Sequence, residues 1–182
     1  MSLLPKQNFR FNREIPLPEG LINGQALGAV SGMKFGLSNM GRSGCEVIAV
    51  YNSLLLHRRP VPFLEVARYM ERFRVLFGFW GANFLFLGHC LKHYGLRSKR
   101  VRAPQKVMDA LMNRKTVVYV YWVKKRFRSS VHTVVLQMSR DDLCVYNAYN
   151  QCGNLLHIHA EKYLCNRKMI FGYIIEQESE KI

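Results

Sequence analysis

A change in hydrophobic period near the middle of the chain limits its fold more than any other feature. From Cys45 to His57 apolar residues recur at helical spacing: Val47, Ile48, Val50, Tyr51, Leu54 and Leu55. That segment is apolar on most sides, which predicts a buried helix. Pro60 and Pro62 interrupt it, and a second helical pattern runs from about Pro62 to Leu76 through Leu64, Ala67 and Met70. A third spans roughly Asn83 to Tyr94, with Gly95 as its stop, and a fourth begins at Pro104. After this the period shortens. The runs 116–122, 131–137, 143–146, 155–158 and 169–175 are rich in Val, Ile, Tyr and Thr, as strands are. Helices followed by antiparallel strands define an α+β domain.

The length of 182 residues suits one such domain, with about 70% of the unfolded surface buried on folding. No linker or internal repeat divides the chain. Residues 1–30 carry three prolines and little periodicity, and are expected to be an irregular lead-in with at most a short strand. The domain itself is expected over 31–182. No apolar run reaches the ~18 residues of a membrane span. The opening residues Met1 to Asn8 lack the apolar core of a signal peptide, so a soluble, cytoplasmic chain is expected.

The five cysteines, at 45, 90, 144, 152 and 165, form no CxxC pair, and an odd number suits reduced thiols better than a disulfide framework. A helix start stabilises a thiolate through unpaired N–H groups and the macrodipole, and a facing imidazolium adds to this. Cys45 sits at such a start, behind the small-residue turn Ser43-Gly44. His132 lies at the mouth of the strand Val131-His132-Thr133-Val134-Val135-Leu136, where it can be held rigidly and still reach a cleft. Asn147, in Val145-Tyr146-Asn147-Ala148, follows the next strand and could accept a hydrogen bond from the imidazole; Asn150 competes for that role. Asn39, six residues before Cys45, could pair its amide with the Cys45 N–H as an oxyanion hole.

The order Cys, His, Asn, with a helix-borne nucleophile and a strand-borne base, resembles the papain-like cysteine peptidase superfamily. Gly44-Cys45-Glu46-Val47-Ile48-Ala49-Val50-Tyr51 is similar to its nucleophile helix, and His132-Thr133-Val134-Val135-Leu136 to its His-aromatic-Val-Val strand. The closest resemblance is to the double-glycine peptidases that trim bacteriocin leaders and to their stand-alone bacterial relatives, over about residues 35–150. Those proteins carry Gln where this chain has Asn39, Gly where it has Glu46, an aromatic where it has Thr133, and Asp where it has Asn147. The resemblance implies a papain-like fold, with the nucleophile helix packed on a C-terminal antiparallel sheet. It also implies peptide or amide hydrolysis through a thioester on Cys45, with no cofactor. An acyl transfer of the transglutaminase type could use the same residues. A basic module that binds an anionic partner without turnover is the reading outside catalysis.

Lys and Arg outnumber Asp and Glu by 27 to 12, a formal charge of +15. That excess favours an acidic partner: nucleic acid, an anionic membrane surface or an acidic peptide substrate. The runs Arg97 to Arg102 and Lys124 to Arg128 concentrate it, and the second should flank the cleft near His132. No nucleic-acid motif accompanies them. His89 and His93, and the set Cys152, His157, His159 and Cys165, have spacings that can bind zinc. Neither includes a close cysteine pair or an HExxH glutamate, so no metal site is expected.

Overall fold

A computed structural model describes residues 3–17, 19–125 and 128–176. In chain order it contains α1 (Leu3–Arg13), α2 (Gly28–Gly32), β1 (Lys34–Phe35), β2 (Ser38–Asn39), α3 (Met40–Ser43) and α4 (Cys45–Leu56). Next come α5 (Phe63–Met70), α6 (Leu87–His93), β3 (Ser98–Val101), α7 (Pro104–Met112), β4 (Val117–Lys125) and β5 (Arg128–Ser139). The chain continues with β6 (Asp142–Tyr146), β7 (Leu156–Ile158), α8 (Ala160–Cys165) and β8 (Lys168–Ile175). Helices first and antiparallel strands afterwards is the order expected from the sequence.

One six-stranded sheet, in the order β3-β8-β4-β5-β6-β7, organises the molecule, and every neighbouring pair in it is antiparallel. Alternation along its strands serves two cores. Val118, Val120 and Val135 face the cluster containing Val47, Ile48, Val50 and Leu54 of α4, with α5 and α6 behind. Val117, Tyr119, Tyr121, Val134 and Leu136 face the other way, onto Val107 and Leu111 of α7 and Tyr163 and Leu164 of α8. The sheet is therefore covered on both sides. The helix α8 and the strand β3 carried no readable period. β3 is the basic stretch Arg97 to Arg102 recast as an edge strand, and charged edges of this kind resist further strand pairing.

The lead-in departs from expectation. Residues 3–13 form α1, whose buried positions are Pro5, Asn8 and Asn12. Two of the three are polar, so an apolar period could not reveal the helix. Their amides stand in for apolar packing. Asn8 Nδ2 donates to the Gly36 carbonyl (2.8 Å) and to Glu71 Oε1. Asn12 closes a two-way pair with the Lys34 main chain, accepting from its N–H at 2.7 Å and donating to its C=O at 2.9 Å. Further on, Asn52 of α4 makes the same two-way pair with the Ile22 main chain. The second predicted helix stops early: α5 ends at Met70 and a 3-10 turn, Glu71–Phe73, follows it. The third begins as a 3-10 turn at Phe84–Phe86 before α6.

Candidate active site

Cys45 is the first residue of α4, as the sequence suggested, with Gly44 as the cap. A Cβ on Gly44 would meet the Met40 carbonyl oxygen at 2.6 Å, so only glycine lets α3 run straight into α4. The thiol is buried. Burial pushes its pKa well above the ordinary range, and the neighbouring Glu46 carboxylate pushes it further; the Thr133 main-chain N–H and hydroxyl pull the other way. The helix start thus does not yield a resting thiolate here. Desolvation outweighs it.

Thr133 is the residue after His132, so β5 delivers the histidine's immediate neighbour to the sulfur. Cys45 and His132 themselves share no hydrogen bond among the described residues. His132 is buried, and its Nε2 lies 2.8 Å from the Asn147 main-chain oxygen. A carbonyl only accepts, so Nε2 carries the proton and Nδ1 is the basic nitrogen. The ring sits edge-on to Tyr121, its register partner on β4. Burial lowers the ring's pKa, the Asn147 carbonyl partly restores it, and the Arg167 charge lowers it again. The imidazole is consequently neutral near pH 7.

Asn147 meets the His132 ring with its main-chain oxygen, not with the amide that the sequence suggested. Its backbone is left-handed, with φ of 60°, a conformation asparagine tolerates. The amide is engaged elsewhere. Oδ1 accepts from the Gln25 N–H at 3.1 Å, Nδ2 donates to Gln25 Oε1 at 3.3 Å, and the Asn147 N–H donates to Asn23 Oδ1 at 2.7 Å. Gln25 is buried and also donates from Nε2 to the Gly41 carbonyl at 3.2 Å. One glutamine thereby ties the turn before Cys45 to the turn that holds His132. Nothing in its sequence context marked it. Asn150, the competitor, turns its carbonyl to the Ala26 N–H and makes no bond to His132 among the described residues.

Asn39 is exposed and caps α3, its Oδ1 accepting from the Arg42 N–H at 3.0 Å. That bond fixes the amide plane. Nδ2 makes no hydrogen bond among the described residues.

Glu46 is the residue the sequence undervalued. Its carboxyl is fully enclosed, and burial raises its pKa to about 7. Oε1 receives the Thr133 hydroxyl at 3.5 Å, whereas Oε2 meets no hydrogen-bond geometry among the described residues. Gly81 makes room for it: a Cβ there would stand 2.6 Å from Oε2. The aromatic expected at position 133 and the glycine expected at 46 are thus replaced by a Thr133–Glu46 pair, accommodated by a glycine on a third segment.

The other candidates stay apart from this site. His93 stacks on Tyr69 with centroids 3.8 Å apart, and His89 Nε2 meets the Tyr69 hydroxyl at 3.1 Å. Cys144 Sγ lies 3.6 Å from His157 Nδ1. Among the described residues no three His, Cys, Asp or Glu side chains gather where they could hold a metal ion. Arg100 and Arg102 of the first basic run lie over the Phe171 ring, each at 5.1 Å. The second run falls at the β4–β5 turn, with Arg126 and Phe127 outside the described residues. No described helix is long and apolar enough to cross a membrane.

Cys45 thus meets Thr133 on the α4 side of the sheet, whereas His132, set against Tyr121 and the Asn147 carbonyl, lies on the α7–α8 side. Among solved structures, the chain is similar to a double-glycine motif protease from an AMS/PCAT transporter, crystallised in complex with the leader peptide. That match has a TM-score of 0.48 and 19% identity over 72% of this chain and 82% of the other. It is also similar to the Salmonella effector SpvD, with a TM-score of 0.37 and 10% identity over 95% of this chain and 92% of the other. No family model matches the chain, and no curated protein matches it.

Proposed function

We propose that the chain is a papain-like cysteine peptidase that hydrolyses a peptide or amide bond through Cys45. The observation that carries this reading is Cys45 at the first residue of the buried helix α4, against the Thr133 main chain of the strand that also carries His132. The reading requires His132, whose ring rests on the Tyr121 side of β5, to reach the Cys45 side, where Nδ1 takes the thiol proton as the sulfur attacks the carbonyl carbon, giving a tetrahedral oxyanion. The Cys45 N–H and Asn39 Nδ2 stabilise that oxyanion; the Arg42 N–H bond to Asn39 Oδ1 sets the amide for this role. The imidazolium then protonates the leaving amine, and water hydrolyses the thioester by the reverse path. Asn147 is the positioning residue for His132. The +15 charge suits a peptide with acidic residues.

The raised thiol pKa supports a second reading, a papain-like module that binds an anionic partner without turnover. Alkylation of Cys45 by iodoacetamide across pH separates the two. The hydrolase reading expects reaction well below pH 8 once an acidic peptide pool is added, lost in His132→Ala. A profile rising only above pH 9 in both proteins, with and without peptides, refutes it. Supplying primary amines and looking for amide products tests acyl transfer on the same residues.

A further inference from the structure

The segment 75–81 turns a set of large apolar side chains into solvent beside the candidate site. Trp80 is 70% exposed, Phe77 66%, Leu76 59% and Leu37 58%, with Phe79 also exposed. Three consecutive residues, Leu76, Phe77 and Gly78, have positive φ, and two of them are not glycine. A chain seeking only to close a loop would bury these rings or place small residues here; this one adopts left-handed backbone to present them.

The main chain of the projection is tied to its neighbours. The Leu37 N–H donates to the Phe77 carbonyl at 2.7 Å. Gly36 and Gly78 approach so closely that a Cβ on either would fall 2.4 Å or less from the other segment's main-chain oxygen. The Ser43 hydroxyl then donates to the Phe79 carbonyl at 3.3 Å, fixing the whole projection to the turn before Cys45.

The charge carried by the two stretches that build it has one sign. No acidic residue occurs between Glu71 and Asp109, nor between Glu19 and Glu46, and these two stretches build the projection. Glu71 itself is buried and bonded to Asn8 and the Gly36 N–H. Arg42 and Arg72 are exposed on the flanking turns. An exposed tryptophan and phenylalanines, with exposed cations and no exposed acid on the same two stretches, is a composition that seats a protein at an anionic bilayer surface.

We propose that the 75–81 projection, with Leu37, docks the protein on an anionic membrane surface. Leu76, Phe77, Phe79 and Trp80 enter the headgroup region, while Arg42 and Arg72 meet acidic lipid. Docking would hold the Cys45 end of α4 at the bilayer. The proposal stands independently of the thiol chemistry.

The test uses the full chain carrying Trp122→Phe, which leaves Trp80 as the sole tryptophan. It is mixed with phosphatidylcholine vesicles, with or without a quarter phosphatidylserine. Docking predicts a blue shift of Trp80 emission and co-sedimentation on the anionic vesicles, together with quenching by brominated acyl chains. Binding should weaken about fivefold for Arg42→Gln. It should weaken at least about tenfold for Phe77→Ser with Trp80 intact. Brominated-lipid quenching needs no loop variant, so it stands even where a variant fails to fold. Sedimentation without quenching, or binding unchanged by Phe77→Ser, would mean charge alone attracts the protein and would overturn the proposal. So would a blue shift produced by a soluble acidic Leu/Phe-rich peptide but not by vesicles, which would make the patch a peptide platform.

Discussion

Replacing Glu46 by Gln probes the least ordinary group in the site. In the folded chain burial raises the carboxyl's pKa to about 7, against 4.5 for a solvated glutamate. A raised acid pKa means the folded state holds its proton more tightly than the unfolded state. Stability therefore falls as pH rises from 4.5 through 7, and the full loss is present above that window. The difference of about 2.5 units corresponds to about 3 kcal/mol. Glu46→Gln, nearly isosteric and unable to ionise, should match the parent near pH 4.5 and exceed it by about 3 kcal/mol at pH 8.5. For a chain of this length that amounts to about 6 to 12 °C in Tm. Urea unfolding at several pH values reads the slope directly. The same change removes the negative charge beside Cys45, so alkylation of the thiol should accelerate at fixed pH. Equal pH slopes for parent and variant would refute the burial argument, and a slower thiol would refute the electrostatic one.

Thr133→Val keeps the shape and removes the donor to Glu46 Oε1, so it should cost about 1 to 3 kcal/mol at pH 8 and less in the Glu46→Gln background; a double-mutant cycle by urea unfolding measures the coupling. Asn147→Ala should cost about 2 to 3 kcal/mol, since it loses two bonds to Gln25 and strains a left-handed backbone, whereas Asn147→Gly should recover about 1 kcal/mol of that in thermal melts. The depressed pKa of His132 means its contribution to stability is present above pH 6.5 and lost as pH falls below it; His132→Gln should flatten that acid limb, and an NMR titration should find the parent ring's midpoint below 6.5.

The architecture was legible where burial followed a simple period. The apolar faces of α4 and the alternation in β4 and β5 each stated their partner, so the helix-on-sheet arrangement could be read directly. Legibility failed where polar atoms do the packing. α1 is held by Asn8 and Asn12, and no hydrophobic pattern announces an amide that replaces a side-chain contact. At the site, the residue types marked Cys45, His132 and Asn147 as a set. They could not show that a main-chain carbonyl would reach the imidazole while the Asn147 amide turned to Gln25. That exchange depends on one left-handed residue, and φ is not written in residue identity. Glu46 read as an irregularity because its accommodation depends on Gly81, thirty-five positions along the chain.

The Gln25–Asn147 clasp bears on the order of events during synthesis. Its partners lie 122 residues apart. Helix α4 is complete in the chain long before the ribosome has made position 147, so Cys45 is made well before the carbonyl that meets His132. The closure is among the most non-local in the molecule, and contacts of such separation form late. Nascent protein would then carry a folded helix α4 but an unassembled site, which delays any cysteine chemistry until both halves of the chain have met.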